Sequence, residues 1–342
     1  MPETDLQIAQ RTAGLHTGVA RPEFGALTIL SRDPWQYVQL WLRRQRSDKA
    51  VFYWDQARQF YEASRVLSPS ASPVTSYYCV LNATKAFLTH SKRTFAPEHG
   101  VSRGPDPKGK VSLKKEIFTM KTSGVLAALC HEVGDPLTAD EEWSLFDVLR
   151  EMPFVHRAFC LTFRSVREQF IPLKEQKFVR HATTREVWFV AQVNANYRKN
   201  LAQRLPPEFE VDAGHESGLK IRMRPRVDIA RRGFGPRELS KLSNYHARVR
   251  RHVVPIVDPV NRWYLRESAA ARRSQIPLIY AALHRLSELS RYEALRLRAH
   301  FDAQPNWVLT EFLRVAPAQF VHLLASEITG KQFLEPKAVR LQ

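Results

Sequence analysis

Helical spacing of the apolar residues runs to Pro172, gives way to strand-like stretches, and returns only near Ser268. Two periodicities in one chain call for two kinds of packed layer. A 3.6-residue repeat buries one stripe of a helix, and a two-residue repeat buries one face of a strand. The first helical stretch opens at Asp33-Pro34, where Asp can cap and Pro suits the first helical position. Trp35, Val38 and Leu42 follow at helical spacing, then Val51, Trp54, Ala57, Phe60, Tyr61 and Ser64. Ser68-Pro69 through Pro73 predicts a break, and residues 74–89 a helix whose Ala83 and Ala86 admit a close neighbour. Thr138-Ala-Asp-Glu-Glu predicts a helix start, Met152-Pro153 an interruption, and 155–170 another helix.

In the middle of the chain, 186–193 and 218–225 are β-rich, with a short strand expected at 209–211. Leu219, Ile221 and Met223 alternate with Lys220, Arg222 and Arg224, the period of a half-buried strand with a basic outer face. Residues 276–293 predict a strong helix, followed by 306–316 and 317–328 as two more. The expected fold is α+β and predominantly α-helical. It consists of an N-terminal arm (1–32), a helical domain (33–172), a small central β-sheet region (173–232), and a basic segment with a C-terminal helical bundle (233–342).

Charge narrows the choice of partner. The formal net charge is +18, with 52 Lys and Arg against 34 Asp and Glu. Such an excess favours a polyanion, because cations that neutralise phosphates release condensed counterions. Between Arg222 and Arg273 lie fourteen basic residues and only four acidic ones. The candidate nucleic-acid-binding set is Lys220, Arg222, Arg224, Arg226, Arg231, Arg232, Arg237, Arg248, Arg250, Arg251, Arg272 and Arg273. Arginine dominates lysine, which suits bidentate phosphate recognition. Phe234, Tyr245, Trp263 and Tyr264 are interleaved and could stack on bases. The bland reading is a solvated face with internal ion pairs, and a third is docking to an acidic protein.

Three cysteines without a CxxC pair argue against a zinc ribbon or a disulfide scaffold, and a reducing, cytoplasmic setting is expected. The polar, acidic N-terminus does not read as a signal peptide, and no apolar run predicts a membrane span. No HExxH, EF-hand, nucleophile elbow, P-loop or dinucleotide fingerprint occurs, so neither a metal nor a cofactor is expected.

Two separated blocks carry a family resemblance. The first holds Phe60-Tyr-Glu-Ala-Ser, then Ser72-Pro-Val-Thr-Ser-Tyr-Tyr-Cys-Val-Leu-Asn-Ala-Thr-Lys-Ala-Phe-Leu, then His99-Gly-Val-Ser-Arg. The second is Leu286-Ser-Glu-Leu-Ser-Arg-Tyr-Glu with the helices after it. In order and spacing they resemble the YaaC-like family of bacterial proteins across about residues 33–335. Tyr77, Tyr78, Lys85, His99 and Gly100 are also similar to the pattern of HEPN-type helical domains. That second resemblance implies a metal-independent ribonuclease, or a subunit of an antiphage defence complex that binds DNA or RNA.

In such a ribonuclease a His moves the proton of the 2′-hydroxyl and an Arg holds the charged phosphorane. Arg93-Thr-Phe-Ala-Pro-Glu-His99 and Arg150-Glu-Met-Pro-Phe-Val-His156 have suitable spacing. Pro97 and Pro153 interrupt both, and with twelve His in the chain such pairs also arise by chance. His99 beside Gly100 reads equally as a capping residue, and His156 as the start of a helix. Tyr77 and Tyr78 point about 100° apart on a helix, so at most one faces a ligand and packing claims the other. Lys85 on an apolar helix is a cation of interest or a snorkelling side chain. Arg291 is expected to pair with a buried carboxylate, such as Glu288 or one from another domain.

Overall fold

The protein is described by a computed structural model that places residues 3–31, 33–105, 109–212, 218–230, 234–258, 260, 262–267 and 273–334. In chain order the elements begin with the short strands β1 (Glu3–Asp5), β2 (Gln7–Ile8), β3 (Arg11–Thr12) and β4 (Ile29–Leu30). Helices α1 (Pro34–Arg44), α2 (Asp48–Val66) and α3 (Ser72–His90) follow, then β5 (Val101–Arg103), β6 (Ile117–Met120), α4 (Gly124–Glu132), β7 (Glu141–Ser144), α5 (Leu145–Arg150) and α6 (Pro153–Thr162). The strand-rich part holds β8 (Phe170–His181), β9 (Glu186–Val193), α7 (Leu201–Arg204), β10 (Phe209–Asp212), β11 (Leu219–Met223), β12 (Val227–Asp228), α8 (Pro236–Arg250), β13 (Val253–Ile256) and β14 (Arg262–Arg266). The chain closes on α9 (Gln275–Tyr292), α10 (Ala294–Phe301), α11 (Asn306–Thr329) and β15 (Phe333–Leu334).

Helix takes 48% of the described residues and strand 20%, so the α+β class holds. The sheet is larger than the composition of the middle segment suggests: among the described residues it has eight strands, with β10-β11-β9-β8-β14-β13 in order, β1 paired with β8 and β12 with β9. Two compact units result, each built from separated pieces. One comprises 1–30, 169–272 and 330–342, and the other 31–168 and 273–329. This division differs from the expected succession along the chain. Glu3–Asp5, in the expected N-terminal arm, pairs antiparallel with Val179–His181 of β8, and β14 pairs with the start of β8. Strand partners are chosen by hydrogen bonding and face burial, not by nearness in sequence.

In the sheet unit the core lies between one sheet face and α8. Phe178, Phe189, Ala191, Ile221 and Met223 meet Leu242, Tyr245 and Val249, all out of solvent. Full burial of one such side chain contributes about 1.5–3 kcal/mol. Tyr245 Oη accepts from Phe189 N at 3.1 Å and donates to the Pro225 carbonyl at 2.8 Å, which ties α8 to the sheet. Val179, Trp188 and Val190 form a second cluster. Strict alternation puts them opposite Phe178, Phe189 and Ala191. The Arg226 guanidinium stacks 4.8 Å from the Trp188 ring.

In the helical unit α3 is the central element: thirteen of its residues are buried, including Tyr77, Cys79, Ala83, Ala86 and Phe87. It packs on α2, α4, α9 and α11. Asp33 caps α1 through Trp35 N, with Pro34 at the first position, as the sequence predicts. The start expected at Thr138 falls later: residues 141–144 pair as β7 with β6, and Ser144 caps α5 through Asp147 N. The helix expected over 155–170 stops at Thr162, because Phe170 already belongs to β8. Pro317 does not divide α11, which is continuous from Asn306 to Thr329. That helix has the length and composition to cross a bilayer, but 72% of its most apolar window is buried, as in a core helix.

Candidate functional site

The loop after α3 carries His99, and three contacts determine where it sits. Val125 N donates to the Glu98 carbonyl at 2.8 Å and Leu126 N to the His99 carbonyl at 3.2 Å, so the loop caps the first turn of α4. Gly100 (φ +79°) and Gly124 (φ +91°) meet back to back, and a Cβ on Gly124 would lie 2.6 Å from the Glu98 oxygen and 2.8 Å from Gly100 N. Only glycine fits there.

The His99 side chain then faces α3 and α9. Its Nδ1 is 2.5 Å from Tyr77 Oη, which lies 3.2 Å from Tyr280 Oη. Tyr280 donates in turn to the His99 carbonyl at 3.1 Å. The His284 ring lies 5.3 Å from that of His99 and edge-on to Tyr77 at 4.9 Å. Tyr77 and Tyr280 are fully buried and His99 is half-buried. Burial first, then Lys85 and Arg291, lower the His99 pKa. Burial brings His284 down to about 3, so it is neutral at pH 7. Burial raises both phenols well above their ordinary value; the nearby Tyr280 adds to the rise at Tyr77, whereas the bond from Tyr77 opposes it at Tyr280.

The cations at this site carry no ion pair among the described residues. Lys85 lies 5.8 Å over the Tyr53 ring. Arg291 contacts Ser287 and stacks over the exposed Tyr292 ring at 5.1 Å. Glu288, named for Arg291, lies 3.5 Å from Arg285 and feels the Arg291 charge without an ion pair to it, and Arg285 also holds the buried Glu116. Arg285 NH2 donates to Glu116 at 2.8 Å, and Arg296 and His300 reach the same carboxylate at 2.6 and 2.8 Å. Burial pushes Glu116 up, but these hydrogen bonds outweigh it and bring it down to about 2. Of the two tyrosines, Tyr77 is the buried one, and Tyr78 stacks on Phe60 at 5.3 Å.

Of the two Arg-His pairs, Arg150 and His156 meet through the Arg150 backbone, and the Arg150 charge adds to the lowering of the His156 pKa. Arg93 donates to Glu132 at 3.2 Å, at the end of α4. His156 is buried, and its Nδ1 donates to the Arg150 carbonyl at 3.0 Å while Nε2 lies 3.3 Å from Cys160 Sγ. Both ring nitrogens are thereby engaged, and burial lowers the His156 pKa. The Arg150 side chain lines a pocket of about 380 Å³ with Lys114, Trp143, Phe146 and Asp147.

The arginine belt sorts into bound and unbound members. Arg222 and Arg224 pair with Glu210, Arg222 also with Asp212, Arg226 with Glu186, and Arg262 with Asp258. Arg250 donates to the Val253 and Thr17 carbonyls and lies 4.9 Å over Trp263. Arg273 belongs to the helical unit, where it is buried between Asp135 and Glu141. Lys220 makes no ion pair among the described residues, and Arg231, Arg232 and Arg272 lie outside them. Arg237, Arg248 and Arg251 are exposed and also make no ion pair among the described residues. With Lys241 and Asn244 they fall at i, i+4, i+7, i+11 and i+14, which is one stripe of α8 opposite Leu242, Tyr245 and Val249. Sequence reading missed this helix, although Gly235-Pro236 and the 242/245/249 spacing mark it.

Among the described residues no group of three or more His, Cys, Asp or Glu could hold a metal ion. Cys79 and Cys130 are buried thiols, and burial raises their pKa. Neither a curated protein nor a solved structure matches this chain. The family model described as YaaC-like Protein matches residues 27–328, spanning both blocks that carry the resemblance, and the chain belongs to that family.

Proposed function

We propose that the protein binds nucleic acid, DNA or RNA, and that α8 supplies its phosphate contacts. One observation carries this reading: Arg237, Arg248 and Arg251 lie on a single exposed stripe with no carboxylate to neutralise them among the described residues. At 1.5 Å per residue the stripe is roughly 20 Å long, enough to follow several phosphates. Arg222, Arg224, Arg226 and Arg262 are already matched by Glu210, Glu186 and Asp258, so they add less. Membership of an antiphage defence complex is the setting that the HEPN-like pattern implies, and it is part of the same proposal.

The test compares two triple variants for binding to labelled single-stranded RNA and duplex DNA. Arg237, Arg248 and Arg251 to alanine is expected to weaken binding strongly, and Arg222, Arg226 and Arg262 to alanine much less. Unchanged affinity in the first variant sinks the proposal. If that variant instead loses a salt-sensitive association with an acidic protein, the docking alternative holds.

A second reading, metal-independent cleavage of RNA, is favoured by His99. It is half-buried, oriented by Tyr77, and accompanied by Lys85 and Arg291, which make no ion pair among the described residues. A histidine base beside phosphate-holding cations is what attack by the 2′-hydroxyl requires. Incubation with labelled RNA in EDTA, for the wild type and His99→Ala, tests it. No cleavage, or cleavage that survives the substitution, removes it.

A further inference from the structure

The contacts around His99 form a closed ring in which one arrangement of protons satisfies every contact. A carbonyl oxygen can only accept, so the Tyr280 hydroxyl hydrogen, donated to the His99 carbonyl at 3.1 Å, is committed there. Tyr280 Oη can then only accept across the 3.2 Å contact, so Tyr77 donates to it. With its own hydrogen committed, Tyr77 Oη must accept across the 2.5 Å contact with His99 Nδ1. Nδ1 therefore carries the imidazole proton. The reverse arrangement, with Tyr280 donating to Tyr77 and Tyr77 to Nδ1, would set the Tyr280 oxygen against the His99 carbonyl oxygen at 3.1 Å in a buried place, where an unmatched polar contact costs about 1–3 kcal/mol.

We propose that Tyr77 and Tyr280 are positioning residues that hold His99 in its Nδ1–H form, so that Nε2 is the proton acceptor for the 2′-hydroxyl of an RNA strand. The inference rests on the cleavage reading above. As the proton moves to Nε2, the 2′-oxygen–phosphorus bond forms and the phosphorus–5′-oxygen bond breaks. The leaving 5′-oxygen recovers a proton from His99 through solvent. The products are a 2′,3′-cyclic phosphate and a 5′-hydroxyl, with no change of oxidation state. Lys85 and Arg291, unpaired among the described residues, balance the charge on the phosphorane. The backbone of His99 is held by Leu126 N and Tyr280 Oη, so the ring does not have to be ordered when substrate arrives.

The experiment is long-range proton–nitrogen NMR on the full-length protein with labelled histidine, the His99 signal being identified by its loss in His99→Gln. The wild type is expected to show a protonated Nδ1 and an unprotonated Nε2. Tyr280→Phe removes the acceptor for Tyr77, which then donates to Nδ1 and drives the proton to Nε2. Tyr77→Phe, a second variant in case the first does not fold, removes the acceptor for Nδ1 and is expected to abolish the Nδ1–H preference. Cleavage should fall on the order of 100-fold in either variant, the low end of what a positioned base supplies. A wild-type His99 protonated at Nε2, or a tautomer unmoved in both folded variants, overturns the assignment. A wild type with the expected tautomer but no cleavage in EDTA removes the cleavage reading and upholds the positioning by the two tyrosines.

Discussion

Arg285 and Glu116 form an ion pair 2.8 Å apart from which solvent is excluded on both sides. Arg285 comes from the middle of α9 and Glu116 from the turn before β6, so the pair joins the C-terminal helices to the first half of their unit. A charge inside a protein is tolerated only when hydrogen-bonded and countered, and Glu116 has three cationic or potentially cationic neighbours. Glu116→Ala should therefore destabilise the protein by about 3–5 kcal/mol, since it leaves Arg285 and Arg296 without their shared partner. Denaturant unfolding checks this, and a loss below about 1 kcal/mol would contradict it.

Stability should fall as the medium is acidified below about pH 6.5. His16 and His322 are pulled to about 4 and His284 to about 3, each chiefly by burial. Their neutral forms are favoured in the folded state. The stability they confer is full above the unfolded value near 6.5 and is lost as pH drops toward the folded values. Glu116, held near 2, acts in the same direction but only below about pH 4.5. A series of melting curves from pH 8 to pH 4 should show the midpoint dropping over the histidine window first. A flat profile between pH 6.5 and pH 5 would contradict the burial of these rings.

Gly124→Ala should displace the His99 loop. The new methyl would meet the Glu98 oxygen and Gly100 N, and the residue's φ of +91° is costly for any side chain. A loss of about 1–3 kcal/mol is expected, together with a change in the NMR signal of His99. An unchanged His99 signal would mean that the loop does not hold the ring.

His156→Ala distinguishes packing from chemistry at the second Arg-His pair. Loss of the bonds to the Arg150 carbonyl and Cys160 should lower stability by about 1–3 kcal/mol, with nucleic-acid affinity and any RNA cleavage unaltered. Loss of cleavage at full stability would return His156 to a catalytic role.

Salt should govern binding if α8 reads phosphates. Removing Arg237, Arg248 and Arg251 together should flatten the dependence of log affinity on log salt by roughly 2–3, since each phosphate contact adds about 0.7–0.9 to the slope. A titration over a range of potassium chloride concentrations measures this, and an unaltered slope would place the contacts elsewhere.

Local pattern made several elements legible. Asp33-Pro34 predicts the start of α1, the 74–89 spacing predicts α3, and the alternation at Leu219, Ile221 and Met223 predicts β11. Each depends on contacts within one or two turns or across one strand, which neighbouring residues decide. The two quoted blocks were enough for the family. The sheet was less legible, because β1 and β14 find β8 from opposite ends of their unit's sequence. The Arg-x5-His spacing likewise does not foretell the contacts that packing adds, Arg93 to Glu132 and His156 to Cys160.

By itself, then, the amino-acid sequence determined the α+β class, the family, the strong positive charge and the helices around His99. Only the tertiary structure decided which charges are neutralised and what surrounds the histidine. Glu210 quiets Arg222, while no carboxylate among the described residues reaches Arg248. His99 receives Tyr280 from 181 residues away. The reason is physical: backbone preference acts over a few residues, whereas burial and hydrogen-bond satisfaction act between whatever surfaces the folded chain brings together.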